Sequence, residues 1–225
     1  TAETKTKDCI INNGTLVSYC GDKEVYKVPK NVRKISFGAF EKATKLKKVI
    51  IGGNVKSISK GFIRGNKSIK TIVVSKKNKK YSSYKGLLYN KSGKKMLVCP
   101  AARKNVIIHD KCVSIDEIAG ENVETITIGK NVKKYTSESE QMIGFTPKLK
   151  SIKVKKENKV FFVQDGVLFM RMYDDSVKLI KYPSAVPTDK YVIPNNVSTV
   201  MFYAFAHSSI KNLVISENPL TELPK

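Results

Sequence analysis

The chain has no tryptophan among its 225 residues, two histidines, four arginines and nine alanines. Each shortage closes off a class of protein. Alanine is the strongest helix former, and here Ile plus Val outnumber Leu 44 to 11. The apolar residues are those whose branched side chains suit pleated strands, which argues against a helical bundle. No stretch approaches the ~18 consecutive apolar residues that a spanning helix requires, so no membrane insertion is expected. The start, Thr1-Ala-Glu-Thr-Lys-Thr-Lys, lacks the apolar region of a secretory signal. It fits a mature chain whose export signal or anchor has been removed, and equally a trimmed one.

Catalytic chemistry is equally sparse. Nucleophilic catalysis needs a base within hydrogen-bond reach, and of His109 and His207 only His109 lies near a thiol, in His109-Asp-Lys-Cys112. Acidic residues pair up at Asp116-Glu117, Glu138-x-Glu140 and Asp174-Asp175, without a second, matching acid to form an acid/base couple or a calcium loop. These read as solvated loop charges. The strings GxxxxGK[ST], GxGxxG, HExxH and GxSxG do not occur, so nucleotide binding, zinc proteolysis and esterase chemistry find no support. Cys9, Cys20, Cys99 and Cys112 form no CxxC or Cys/His cluster, which removes a zinc site and a thioredoxin-like motif. Cys9 and Cys20 flank a hairpin-like IINNGTLVSY; a disulfide between them is allowed, and two buried thiols are the alternative. The sequence reads as a non-enzyme with no cofactor.

What the chain does have is a core and a repeat. Ile, Val, Leu and Phe account for 64 of 225 residues, enough to exclude global disorder. Val28-Pro-Lys-Asn-Val-Arg-Lys-Ile-Ser-Phe-Gly superposes on Ile51-Gly-Gly-Asn-Val-Lys-Ser-Ile-Ser-Lys-Gly at an offset of 23. The apolar positions pair as Val28/Ile51, Val32/Val55, Ile35/Ile58, Leu46/Ile69 and Val49/Ile72, with Asn31 and Asn54 in the same frame. Five copies follow, about 28–50, 51–73, 108–128, 129–154 and 193–215, on a hairpin cap of residues 1–27. Two inserts, about 74–107 and 155–192, match each other at an offset of 80, with turns at Lys85-Gly86 and Asp165-Gly166. Both read as small antiparallel meanders. A 23-residue unit cannot bury its apolar face alone and must stack on its neighbours, so the expected fold class is an α/β or mainly β solenoid with a parallel sheet of short strands. In the runs from Leu46, Ile69, Val123, Leu149 and Ile210, positions one, four and six should point inward and positions two, three and five outward.

The segments VPKNVRKISFGAFEKATKLKKVII and IPNNVSTVMFYAFAHSSIKNLVI, with the insert GLLYNKSGKKMLVCP, resemble the BspA-type leucine-rich repeat. The copies depart from that pattern at Phe62-Ile63, Ala119-Gly120 and Gly144-Phe145. The resemblance implies a right-handed solenoid with one short strand per repeat, residues 28–225 forming one solenoid. It also implies a secreted or cell-surface protein of bacteria or protists that binds proteins or acts in adhesion, host matrix included. It does not name a partner.

The net charge of +23 supplies the competing reading, an electrostatic binder of anionic polymers such as a glycosaminoglycan, a teichoic acid-like chain or nucleic acid. Of the 42 basic residues 38 are Lys; because Arg is the residue that forks onto phosphate and bases, specific nucleic-acid recognition is disfavoured. Position two of the strand runs places Lys47, Lys70, Lys150 and Lys211 on one outward row, interrupted by Glu124. That row is the candidate ligand-binding face. Tyr84 and Phe162 are the candidate contacts on the inserts, which are expected to protrude.

Overall fold

A computed structural model describes residues 3–136 and 141–215. Among them there is no helix, only short strands and turns, so of the two expected classes the mainly β one holds. The chain divides into two compact units, Thr1–Arg103 and Lys104–Lys225.

In the first unit, each turn of the solenoid contributes a strand to two parallel ladders. Val25–Lys27, Lys48–Ile51 and Thr71–Val74 form one ladder, in the register Tyr26, Val49, Ile72. Thr15–Tyr19, Lys34–Ile35 and Ser57–Ile58 form the other, in the register Leu16, Ile35, Ile58. The resemblance implied one strand per repeat; there are two. The second is only two residues long, because the Asn-Val-x-x-Ile segment turns almost as soon as it pairs, through Lys34 N–H to Gly14 O at 3.1 Å and Ser36 N–H to Leu16 O at 2.9 Å. Thr15–Tyr19 also closes a hairpin on Cys9–Asn12. The cap therefore supplies the first rung of the solenoid.

Between the ladders the chain turns a corner at Gly38 and Gly61, both in the left-handed region with φ of +63° and +78°. A side chain at Gly61 would in addition place its Cβ 2.9 Å from the Phe37 ring. Behind the corner Phe40 and Phe62 are fully buried and meet edge to face at 6.1 Å. Copy two thus fills with Phe62 the place where the repeat pattern has Ala. The expected frame holds in the first three runs, where Leu46, Val49, Ile51, Ile69, Ile72, Val123, Ile126 and Ile128 are completely buried and Val74 is buried, and at the first and fourth positions of the fourth, Leu149 and Ile152, whose sixth position, Val154, is half-buried. It fails in the last one, where Leu213 and Ile215 are 40% and 44% exposed, on the outer strand of the two-stranded sheet Lys190–Ile193 with Asn212–Ile215.

The second unit repeats the scheme. Asn105–Ile107, Thr125–Ile128 and Ser151–Val154 form a parallel ladder, and Ser114–Ile115 pairs with Lys134–Tyr135. The acidic pair Glu138 and Glu140 lies outside the described residues.

The inserts are equivalent meanders, as the offset of 80 predicts. Tyr81–Tyr84 and Leu87–Asn90 turn at Lys85-Gly86 with φ of +48° and +81°. Phe161–Gln164 and Val167–Arg171 turn at Asp165-Gly166 with φ of +49° and +80°. Two positive φ values in a two-residue loop match the twist of the flanking strands. The meanders do not protrude, contrary to expectation. Leu87, Leu88 and Tyr89 are buried, as are Val167, Leu168 and Phe169, and such unbroken apolar runs are covered on both faces. The third strand of the second meander, Val177–Lys181, joins the solenoid directly by pairing in parallel with Val197–Val200.

Buried asparagines tie successive turns together. Asn78 donates to Gly52 O and Val55 O, both at 2.9 Å, and accepts from Lys80 N–H and Tyr81 N–H. Asn158 donates to Gly129 O and Val132 O and accepts from Val160 N–H and Phe161 N–H in the same way. Asn66 does the same with Phe40 O, Ala43 O and the Ser68 and Ile69 amides. Each amide thus has two donors and two accepted bonds in use, which removes the cost of burying it.

Candidate functional site

The outward face of the longer ladder is built by strand alternation. In the first unit its position-two row is Glu24, Lys47, Lys70, and in the second Lys104, Glu124, Lys150, each residue sitting one repeat from the next. The strands at 25–27, 105–107 and 190–193 were not recognisable as rungs from their sequences, so Glu24, Lys104 and Asp189 at their starts escaped the expected row. Lys47 makes an ion pair with Glu24, Lys150 reaches Glu124 at 3.1 Å, and Lys211 reaches Asp189 at 3.1 Å. Lys104 approaches Glu124 from the other side at 3.7 Å. The hydrogen bond and charge of Lys150 hold the Glu124 carboxyl below its usual range. Lys45 and Asp22 add a further pair at 3.4 Å.

Lys47 and Lys70 share a ladder in the first unit, whereas Lys150 and Lys211 belong to different sheets of the second. What the fold assembles on this face is partial compensation: Lys47, Lys150 and Lys211 each meet an acid one repeat away, whereas Lys70 follows Lys47 on the next rung with no acid between them. The first and third rungs of this ladder in the first unit each carry an exposed apolar side chain, Val25 at 47% and Val73 at 37%.

Of the insert residues, Phe162 is half-buried, stacked on Phe169 with centroids 5.4 Å apart and covered by the Arg171 guanidinium at 4.3 Å. It packs against the core of its unit. Tyr84 is half-buried on Tyr81–Tyr84. Neither stands out as an exposed contact.

The groups with conventional catalytic potential are dispersed. His109 Nδ1 accepts from Lys111 N–H at 2.9 Å in a local turn, and His207 meets the edge of Phe145 at 4.8 Å. Asp174 caps its own turn through Ser176, which lowers its pKa. All four cysteines are free thiols; Cys9 Sγ lies 3.4 Å from Tyr26 Oη, opposite Tyr19 rather than Cys20 in the hairpin. Burial pushes the Cys99 thiol up to about 12, which leaves it little thiolate at neutral pH. Among the described residues no three His, Cys, Asp or Glu side chains gather as a metal site would require, and no helix is long and apolar enough to cross a membrane.

One buried cation had no signal in the sequence. Lys181 stands where the matching insert has Val98, is fully buried, and donates from Nζ to Tyr203 O at 2.9 Å. Burial pulls its ammonium down to about 8.

No match was found among curated proteins. Among solved structures, the chain is similar to a leucine rich cell surface protein from Faecalibacterium prausnitzii A2-165, with a TM-score of 0.51 and 15% identity over 96% of this chain and 77% of that one. It is also similar to the pneumococcal vaccine antigen PcpA, with a TM-score of 0.50 and 14% identity over 86% of this chain. The chain spans about half, 51%, of PcpA's length. Both likenesses concern the fold. The profile of the BspA type leucine rich repeat region matches six copies over residues 11–139 and 184–225. Its start at residue 11 agrees with a first rung at Thr15-Leu16, one copy more than the five read from the sequence. The chain belongs to the BspA type leucine-rich repeat family.

Proposed function

We propose that the protein is a non-catalytic binding module, secreted or displayed on a cell surface, that engages a protein partner through the outward face of its longer ladder. The observation that carries this reading is the compensation of charge on that face. Lys47, Lys150 and Lys211 are each met by a carboxylate one repeat away, so a partner meets a mixed surface with apolar points at Val25 and Val73. Protein interfaces combine such apolar points with a polar, paired surround. Repeat scaffolds serve this role because stacking extends one such face over many turns. The family and the fold of the two surface and antigen structures support display outside the cell.

The test is an array of purified matrix and cell-surface proteins probed with the parent chain and with a Val25→Arg/Val73→Arg variant. The expected result is at least one protein target held by the parent and weakened about tenfold or more in the variant, whose exposed substitutions leave folding intact. Targets held equally by both forms would move the interface off this face.

A further inference from the structure

A groove of about 880 Å³ in the first unit runs along the loops that follow its strands, over residues 27–30, 50–56 and 75–80. Six lysines line it, Lys27, Lys30, Lys56, Lys77, Lys79 and Lys80, and its lining contains no Asp or Glu. All six are exposed, and none makes an ion pair among the described residues. This contrasts with the sheet face, where carboxylates from the neighbouring turn meet Lys47, Lys150 and Lys211.

The second unit contains its own version of the same framework, which acts as an internal control. Asn54 donates to Lys30 O at 2.8 Å, and Asn131 donates to Asp110 O at 2.7 Å. Asn78 bonds Gly52 O and Val55 O, and Asn158 bonds Gly129 O and Val132 O. These hydrogen bonds fix the correspondence. At the places of the six lysines, the second unit carries Ile107, Asp110, Lys133, Glu157, Lys159 and Val160. At these six places two lysines and two acids cancel, and Lys130 and Lys155, at the places of Gly53 and Ser75, leave the matching lining at a net +2 against +6 in the first unit. Asp110 is further engaged by Lys155 at 2.6 Å, which holds its carboxyl below the usual range. The fold therefore does not require the cluster, and six like charges around one concavity repel unless an anion joins them.

We propose that this groove binds an anionic polysaccharide carrying sulfate or carboxylate groups. Its charges are all ammonium groups, which suit many separate point contacts rather than the forked recognition of phosphate by Arg. The lining holds no aromatic residue, so nucleic acid bases find no stacking platform. A peptide adding as a strand needs free backbone partners, yet Lys30 O, Gly52 O and Val55 O are already bonded to asparagines, Ile50 O to Val28 N–H and Ile51 O to Ser75 N–H. Charge is what the groove has left to offer, and Gly52 leaves its floor open, with nothing within 4 Å of a Cβ built there. The groove meets the protein-binding face at Lys27 and Ile50, which lie in one row with Val73, but its lysines and not the apolar points would hold the polymer, so the two readings fail separately.

The experiment titrates a size-defined heparin octasaccharide into three forms of the full chain. One is the parent. The second is Lys30→Asp/Lys77→Glu/Lys80→Val, which installs the residues the second unit already tolerates in this framework. The third is Lys5→Glu/Lys42→Gln/Lys94→Glu, which makes the same change in net charge at exposed lysines outside the groove. The parent is expected to bind, with affinity falling at least about tenfold between roughly 50 and 200 mM salt. The groove variant should lose about tenfold or more, and the outer variant should stay within about threefold of the parent. Equal losses in both variants, or none in the groove variant, would overturn the site. Oligothymidylate or oligoglutamate of equal charge binding the parent as tightly as the octasaccharide would overturn the ligand class.

Discussion

Lys181 is the residue whose behaviour most directly reports its environment. Its amine titrates near 8 in the folded chain against 10.5 when exposed. Between those values the unfolded chain holds a proton that the folded chain has released, so stability rises as pH increases through this window. Below about 8 both states are protonated and the full burial penalty applies. Lys181→Met, which keeps the length and the valine-like character of its counterpart Val98, should therefore stabilise the fold at neutral pH by ~1–3 kcal/mol and flatten the rise above pH 8. Chemical denaturation from pH 7 to 10.5 reads both effects; a variant that is less stable yet keeps the rise would contradict the assignment. The repeat column offers a second comparison. Ile35 is 1% exposed, whereas Ile58 is half-buried at the edge of its ladder with its N–H capped by the Tyr81 hydroxyl at 3.0 Å. Ile35→Ala should cost ~2–4 kcal/mol and Ile58→Ala about half of that, and the reverse order in denaturation midpoints would displace the frame.

At the scale of elements, the asparagine staples and the meanders join one turn of the solenoid to the next. Asn78→Ala strips two donors from the carbonyls of Gly52 and Val55 and leaves the Lys80 and Tyr81 amides without their acceptor. The expected loss is ~2–4 kcal/mol in urea denaturation, with Asn158→Ala matching it in the second unit. A loss well under 1 kcal/mol at both sites would show the staples to be replaceable by water. The second meander should be equally indispensable. Removing residues 158–183 deletes Val177–Lys181, the parallel partner of Val197–Val200, so circular dichroism should show an unfolded second unit instead of a trimmed one. A folded deletion variant would mean that the meander only decorates the sheet.

These elements also show where reading the sequence succeeded and where it stopped. The inward frame was legible because a buried strand position tolerates only apolar residues, and the runs from Leu46, Ile69, Val123 and Leu149 keep it without exception at their first and fourth positions. The turns at Lys85-Gly86 and Asp165-Gly166 were legible because left-handed backbone demands few residue types. The rungs at Val25–Lys27 and Asn105–Ile107 were not, being three residues long and mixed in polarity. Their pairing is set by the neighbouring turn and not by their own pattern. For the same reason Glu24 and Asp189, the partners of Lys47 and Lys211, stayed hidden, whereas Glu124 beside Lys150 was legible as the interruption of the row. A carboxylate 23 residues earlier, as Glu24 is from Lys47, is adjacent only once the repeat is coiled.

On the scale of the whole molecule, the charge of +23 is unevenly used. On the sheet face it is partly matched by Glu24, Glu124 and Asp189 from adjacent turns, and in the groove of the first unit it is left open. These two surfaces respond oppositely to ionic strength: a compensated face releases few counterions when it binds, whereas an uncompensated groove releases many. The central claim, protein recognition by the compensated face, is tested most directly by the affinity of the parent chain for its strongest protein target from about 50 to 300 mM salt. The compensated face predicts a change of less than about tenfold over that range. A steep log-linear fall, matched by loss of the target in Lys30→Asp/Lys77→Glu/Lys80→Val, would contradict it and place protein binding in the lysine groove instead.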